Sequence, residues 1–166
     1  MNSAMTILAA IGEIERFASA DELVGYAGLG GSASGERTRT GKITKQGRRE
    51  LRSTLIECAW VAITHSAHWR EQYQRLKLRK PTNKAITAIA RKMLVSIWHV
   101  LTRRVPDRHA DVQATARYLM TWATEHRLAA RLGLGRLDFV KIELDRLGIR
   151  QEVVQMQYQG RVFQVT

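Results

Sequence analysis

The segment from Asn83 to Thr102 most constrains the fold, because its apolar residues recur every three or four positions over about five helical turns. This spacing aligns the apolar side chains along one face of an α-helix. They are Ile86, Ile89, Ala90, Met93, Leu94, Ile97, Trp98 and Leu101. A long amphipathic helix is stable only when other elements cover its apolar stripe. The sequence therefore predicts a domain built from several packed helices.

Further segments with helical periodicity lie on both sides of this one. Ser19 and Glu22 have the spacing of a capping box, which predicts that a short helix begins there and ends near Ala27. The other predicted helices cover residues 6–14, 51–63, 69–78, 111–131 and 137–147. Residues 153–165 alternate loosely around Gln159-Gly160, which predicts a β-hairpin.

Residues 28–35 contain four glycines, which predicts a loop. The predicted fold class is thus all-α or mainly α, a helical bundle with a Gly-rich loop and a small C-terminal hairpin. Pro106-Asp107 marks the predicted boundary between a domain at residues 1–108 and a C-terminal helical extension at residues 109–166.

Positive charge is concentrated in the middle of the chain. The formal net charge of +12 divides into −4 for residues 1–36, +14 for residues 37–108 and +2 for residues 109–166. A charge that only served solubility would be spread along the chain and mixed in sign. A polyanionic partner, such as a nucleic acid, is therefore expected.

The densest part of this basic segment runs from residue 37 to residue 52, and Glu50 is its only acid. A solvated charged face is the usual meaning of such a run, but one carboxylate cannot neutralise it, and guanidinium groups suit phosphate. We expect nucleic-acid contacts from Arg37, Arg39, Lys42, Lys45, Arg48, Arg49 and Arg52, and from Lys84, Arg91 and Lys92 further along the chain.

Three parts of the sequence carry a family resemblance. They are the run from Ile7 to Leu29, which contains Ile11-Gly12-Glu13-Ile14, the Ser34-Gly35 pair with the run from Thr38 to Gly47, and the run from Ala88 to Leu94. In order and spacing they resemble the C-terminal domain of the insertion-sequence 110/116/902 transposases, relatives of the Piv-type DNA invertases. The resemblance covers about residues 6–108.

The resemblance implies a role in DNA transposition or site-specific recombination. In that family an N-terminal RuvC-like domain supplies carboxylates that bind Mg²⁺, and the C-terminal domain supplies a serine that attacks the DNA backbone. Its members are understood to act as oligomers guided by a structured RNA. The present sequence resembles only the C-terminal half, so no cofactor is expected in this chain, and activity without the acidic domain is in doubt.

Ser34 is the candidate nucleophile, because it matches the Ser-Gly pair of the family and precedes the basic run. Ser32 is a second candidate. Gly-Ser loops without any catalytic role are common, so a second hypothesis stays open. In that alternative the chain is a non-catalytic nucleic-acid-binding or oligomerisation module.

The remaining expectations concern partners and location. Cys58 is the only cysteine, no apolar stretch reaches the length of a bilayer span, and the N-terminal segment is acidic. A cytoplasmic protein without a membrane partner is expected. The predicted partners are DNA, a structured guide RNA and further copies of the chain, since the apolar face of the first helix lacks an evident cover.

Overall fold

The structure is a computed structural model that describes residues 2–34, 37–43 and 46–165, with side chains at residues 3–30 and 46–165. It consists of two compact units, Met1–Arg104 (unit 1) and Val105–Thr166 (unit 2). The mainly helical fold class and the C-terminal hairpin are both confirmed.

Unit 1 contains five α-helices, one 3-10 turn and one hairpin among its described residues. The helices are α1 (Asn2–Ile11), α2 (Ala20–Tyr26), α3 (Arg49–His65), α4 (Ala67–Lys77) and α5 (Thr82–Arg103), and the 3-10 turn covers Ile14–Arg16. The antiparallel strands β1 (Gly31–Ser34) and β2 (Arg37–Ile43) lie between α2 and α3.

The core of unit 1 forms where α3 meets α5. Leu51, Leu55 and Ala59 of α3 pack with the apolar stripe of α5, of which Ile89 and Leu94 are fully buried. The predicted capping box is present at the start of α2, where the Ser19 hydroxyl accepts a hydrogen bond from the Glu22 amide at 3.3 Å. The Glu22 carboxylate in turn accepts one from the Ala18 amide at 2.9 Å.

The first helix differs from its prediction in one respect that matters for assembly. Ile7, Ile11 and Ile14 are buried in the core of unit 1, since α1 packs against α3. Only Leu8 of the predicted apolar face stays exposed. The prediction that the apolar face of the first helix is uncovered is therefore wrong. That face no longer gives a reason to expect self-association.

The Gly-rich segment also differs from its prediction, because residues 31–34 form β1 rather than a loop. Only Gly31 among these four residues is a glycine. A glycine within a strand lowers stability by about 0.5–1 kcal/mol relative to alanine. Pairing with β2, which contains threonines, can offset this loss. The register pairs Gly31 with Ile43 and Ser34 with Arg37, with a shift between Gly31 and Ala33.

Unit 2 contains three α-helices and one hairpin in the part of the chain that is described. These are α6 (Val112–Thr124), α7 (Leu128–Arg131), α8 (Arg136–Arg146), a 3-10 turn at Arg150–Glu152, and the antiparallel strands β3 (Gln155–Tyr158) and β4 (Arg161–Gln164). The single helix predicted over 111–131 is wrong, because Arg127 adopts φ 54° and separates α6 from α7.

The predicted turn at Gln159-Gly160 is confirmed. Both residues have positive φ, 48° and 74°, as a two-residue hairpin turn requires. The core of unit 2 combines Leu119 and Met120 of α6 with Phe139, Val140 and Leu144 of α8. Met156 of β3 closes this core from the hairpin side.

Among the described residues, α5 alone is long and apolar enough to cross a membrane by length and composition, which corrects the expectation that no stretch reaches that length. This is weak evidence, because core helices of soluble proteins pass the same test. Arg91 and Lys92 lie in the middle of α5, and Ala85, Ile86, Ile89, Ala90 and Leu94 are buried within unit 1.

Candidate nucleic-acid interface

The β1–β2 hairpin joins the rest of unit 1 at a closely packed base. At this base the Arg48 amide donates to the Tyr26 carbonyl at 2.9 Å, which joins the residues before β1 to those after β2. A Cβ on Gly47 would lie 2.4 Å from the Tyr26 carbonyl oxygen and 2.7 Å from the Gly28 nitrogen. Gly47 is therefore required for the close approach of the two chain segments.

Arg52 reinforces the same base from α3. Its guanidinium Nη1 donates to the Ala27 carbonyl at 3.1 Å, and the side chain is half-buried. Gly28 has φ +67°, and a Cβ there would lie 2.6 Å from the same Nη1 atom. The contact with Ala27 positions the hairpin base, and the predicted nucleic-acid contact from Arg52 stays a prediction.

Arg48 and Arg49 lie where α3 begins, directly after the hairpin base. Both are exposed, and neither makes a side-chain hydrogen bond or ion pair with another described residue. No side chain caps this end of α3, and Glu50 is the only acid in its first turn. Two cations beside a positive helix end repel each other, and a bound anion relieves that repulsion.

Lys84 is exposed in the first turn of α5, the third of three consecutive packed helices. Trp60 of α3 contacts Tyr73 of α4, with 6.1 Å between ring centroids, so α3 and α4 double back on each other. Lys92 of α5 donates to Gln72 of α4 at 2.7 Å, so α4 and α5 also double back.

Arg91 and Lys92, which were predicted to contact nucleic acid, each bind another side chain of unit 1 in the structure. Arg91 forms an exposed ion pair with Asp21 of α2 at 3.1 Å, and Lys92 bonds to α4. Both residues lie in the middle of α5, about 10 Å along the helix from Lys84. Arg48, Arg49 and Lys84 thus lie at the starts of α3 and α5 without a protein partner among the described side chains, whereas Arg91 and Lys92 have such partners.

Ser34 and Ser32 lie on β1, and their side chains are outside the described part of the chain. Ser34 is the last residue of β1 and is the cross-strand partner of Arg37, the first residue of β2. Ser32 falls within the register shift between Gly31 and Ala33.

Arg39 and Lys42 also lie on β2, where only the backbone is described, and Lys45 lies outside the described residues. The hairpin therefore brings the candidate serine and part of the basic run onto one element.

The sequence analysis did not name three exposed cations that precede Lys84 in the chain. Lys77, Arg79 and Lys80 are exposed around the turn between α4 and α5. Their closeness to Lys84 in the sequence is a signal that could have identified them.

In the described ranges, no three His, Cys, Asp or Glu side chains lie close enough together to hold a metal ion.

Residues 1–74 match the model of the Transposase IS116/IS110/IS902 family. A protein named "Putative transposase y4qE" from Sinorhizobium fredii is 30% identical over 125 residues, which is 73% of this chain and 32% of that protein. Both comparisons support the transposase family.

The chain spans about a third of the length of this curated relative. The residues matched by the family model include α1 to α3, the hairpin and most of α4, and they end before α5. No solved structure matches the chain.

Proposed function

We propose that unit 1 binds DNA through its basic end, which we define as Arg48, Arg49 and Lys84 together with the β1–β2 hairpin. The observation that carries this proposal is the exposed, unneutralised pair Arg48 and Arg49 at the base of the hairpin. Phosphate contacts of this kind give affinity and position the protein without reading sequence.

We further propose that the hairpin presents a nucleophilic serine to the bound DNA, with Ser34 the first candidate and Ser32 the second. In this step the serine hydroxyl oxygen attacks a backbone phosphorus and forms a phosphoserine ester. The displaced deoxyribose oxygen takes up a proton and leaves as a hydroxyl group. Cations next to the serine stabilise the negative charge that develops on the phosphate.

We also propose a structured guide RNA and self-association as partners, on the basis of the family resemblance alone. The basic end suits the phosphates of RNA as well as those of DNA. The alternative function is a module that binds nucleic acid without catalysis, and it has the same basic end.

The binding part of the proposal is tested by replacing Arg48 and Arg49 together with glutamine. We expect duplex DNA of any sequence to bind more weakly, because the lost contacts go to the backbone. Arg103→Gln with Arg104→Gln is the matched control, since it removes two adjacent exposed arginines at the C-terminal end of α5. Equal losses in both double variants, measured by fluorescence anisotropy, would contradict a localised interface.

The catalytic part is tested by Ser34→Ala and Ser32→Ala in the presence of a RuvC-like domain supplied separately. We expect a covalent protein–DNA adduct, detected by denaturing gel, to disappear in Ser34→Ala while DNA binding is retained. Loss of the adduct only in Ser32→Ala would transfer the role to that residue. No adduct in the unchanged chain would favour the non-catalytic alternative.

A further inference from the structure

Unit 2 contains a one-turn helix, a short turn and a longer helix, and the family match at residues 1–74 does not include them. Helices α7 and α8 are joined by Leu132–Gly135, and Gly133 in this turn has φ +69°. The Leu134 amide donates to the Ala129 carbonyl at 2.9 Å, which closes the end of α7. In helix-turn-helix motifs that bind DNA, a short turn that often contains glycine joins two helices, and the second helix enters the major groove.

The burial of α8 fits this arrangement. Phe139, Val140 and Leu144 attach one side of the helix to the core of unit 2. Arg136, at the first position of the helix, stays exposed, as does Ile142 in its middle. Its eleven residues span about 16 Å, and the diameter of an α-helix with its side chains, about 10–12 Å, suits a major groove about 12 Å wide.

Charge is distributed unevenly along this helix and its surroundings. In the last turns of α8, Glu143 pairs with Arg146 at 2.7 Å, and Asp145 pairs with Arg150 at 2.6 Å. Four exposed arginines around the turn and the hairpin have no ion pair or hydrogen bond with another described side chain. They are Arg127, Arg131, Arg136 and Arg161.

Acids are also present near the turn. Asp138 lies against Gly135 at the start of α8, and Glu125 accepts a hydrogen bond from the Tyr158 hydroxyl at 3.5 Å. The small net charge of the C-terminal segment thus includes four exposed arginines that lack an ion pair, and two of them line one cleft.

A cleft of about 440 Å³ lies between the start of α8 and the turn of the β3–β4 hairpin. Arg136 and Arg161 line it from these two elements, together with Tyr158 and Gln159. Thr124 lines it from α6, and its buried hydroxyl has no hydrogen-bond partner among the described residues. Two guanidinium groups and further donors around one opening suit a phosphate group.

We propose that unit 2 is a second DNA-binding module, in which α8 enters the major groove of duplex DNA and the cleft holds a backbone phosphate between Arg136 and Arg161. The β3–β4 hairpin then lies beside the DNA backbone. Duplex DNA is the partner because the major groove of an RNA duplex is too deep and narrow for an exposed helix to read. This module is separate from the basic end of unit 1, and its existence does not depend on the function proposed above.

The test uses the full chain with Arg136→Gln or Arg161→Gln. Arg146→Gln is the matched control, because it removes one positive charge from the other end of α8, where Glu143 already pairs with it. Binding to duplex DNA is followed by fluorescence anisotropy at several salt concentrations. We expect each of the first two variants to reduce the steepness of the log–log salt slope by about 0.9, and the control to leave the slope unchanged.

Equal slopes in all three variants would overturn the proposal. Circular dichroism shows whether each variant is folded, and Arg136→Lys provides a second measure, since it keeps the charge and is expected to restore the slope. Hydrogen exchange of the unchanged chain supplies an independent readout, because DNA should protect amides at the start of α8 and at the hairpin turn. Absence of that protection would also overturn the proposal.

Two further outcomes distinguish this proposal from the function proposed for unit 1 and from RNA binding by unit 2. Loss of DNA binding in Arg48→Gln with Arg49→Gln, with no effect of Arg136→Gln or Arg161→Gln, would overturn the second module and leave the proposed function of unit 1 standing. The reverse result would support unit 2 alone. A structured RNA hairpin that displaces duplex DNA from the unit 2 cleft at equal concentration would show that the assigned partner is wrong.

Discussion

Gly47 occupies a position at the hairpin base where a side chain would collide with backbone atoms. Its φ of +156° is one that residues with a side chain rarely adopt, and an added Cβ would meet the backbone of Tyr26, Ala27 and Gly28. We expect Gly47→Ala to lower the free energy of unfolding of unit 1 by on the order of 1–3 kcal/mol. Urea denaturation followed by tryptophan fluorescence measures this change.

Gly25→Ala is the control for this prediction. Gly25 lies within α2, and a Cβ there would meet nothing within 4 Å. Because alanine is the better helix former, this variant should be more stable by about 0.5–1 kcal/mol. If both substitutions shifted stability in the same direction, the packing of the hairpin base would be wrong.

The interaction partners of individual arginines could not be predicted from the sequence. Their charge and their place in the basic run were correctly read as an excess of cations. Their partners depend on residues far along the chain, such as Ala27 for Arg52 and Asp21 for Arg91. Charge patterning therefore predicted a basic segment, and it could not separate Arg48 from Arg52.

Helix α2 depends on its cap, since it has only seven residues and its polar face is exposed. Ser19→Ala removes the acceptor of the Glu22 amide hydrogen bond and should cost about 1 kcal/mol. Hydrogen exchange of the α2 amides is the measurement.

Ser53→Ala is the matched control, because the Ser53 hydroxyl bonds only to carbonyls of its own helix, α3. That control should be neutral or slightly stabilising. Equal loss of α2 protection in the two variants would argue against a specific cap.

Elements with a local signal were predicted well, and elements that depend on distant pairing were not. The capping box at Ser19, the apolar stripe of α5 and the Gln159-Gly160 turn each involve neighbours in sequence. Strand β1 forms because Ser34 and its neighbours pair with β2, a contact that glycine content does not reveal. The break at Arg127 lacks a glycine or proline, and the helix-forming residues of α7 continue the same periodicity.

The whole chain should bind nucleic acid with a strong dependence on salt, because its net charge of +12 is concentrated in unit 1. Contacts from Arg48, Arg49 and Lys84 alone imply a log–log slope near −2.7, at about −0.9 for each phosphate. Titration of duplex DNA between low and physiological salt measures the slope. A nearly flat dependence would contradict a backbone-dominated interface, whatever the affinity.

At the scale of the whole molecule, the sequence predicted the mainly helical class and the basic character of the central segment. It did not predict that α1 finds its cover within unit 1, because the packing of α1 on α3 joins residues about fifty positions apart. Self-association therefore rests on the family resemblance alone.

The narrow base of the hairpin also makes it a separable insert. The chain leaves α2 and returns to α3 at adjacent points, since the Arg48 amide reaches the Tyr26 carbonyl across 2.9 Å. Residues 31–45 could be excised and the ends rejoined through a short glycine linker without stretching the backbone. Such a shortened chain would keep Arg48, Arg49 and the helical core while losing both candidate serines. Comparing the shortened chain with the unchanged chain would therefore distinguish a recombinase, whose activity needs the hairpin, from a module that only binds nucleic acid.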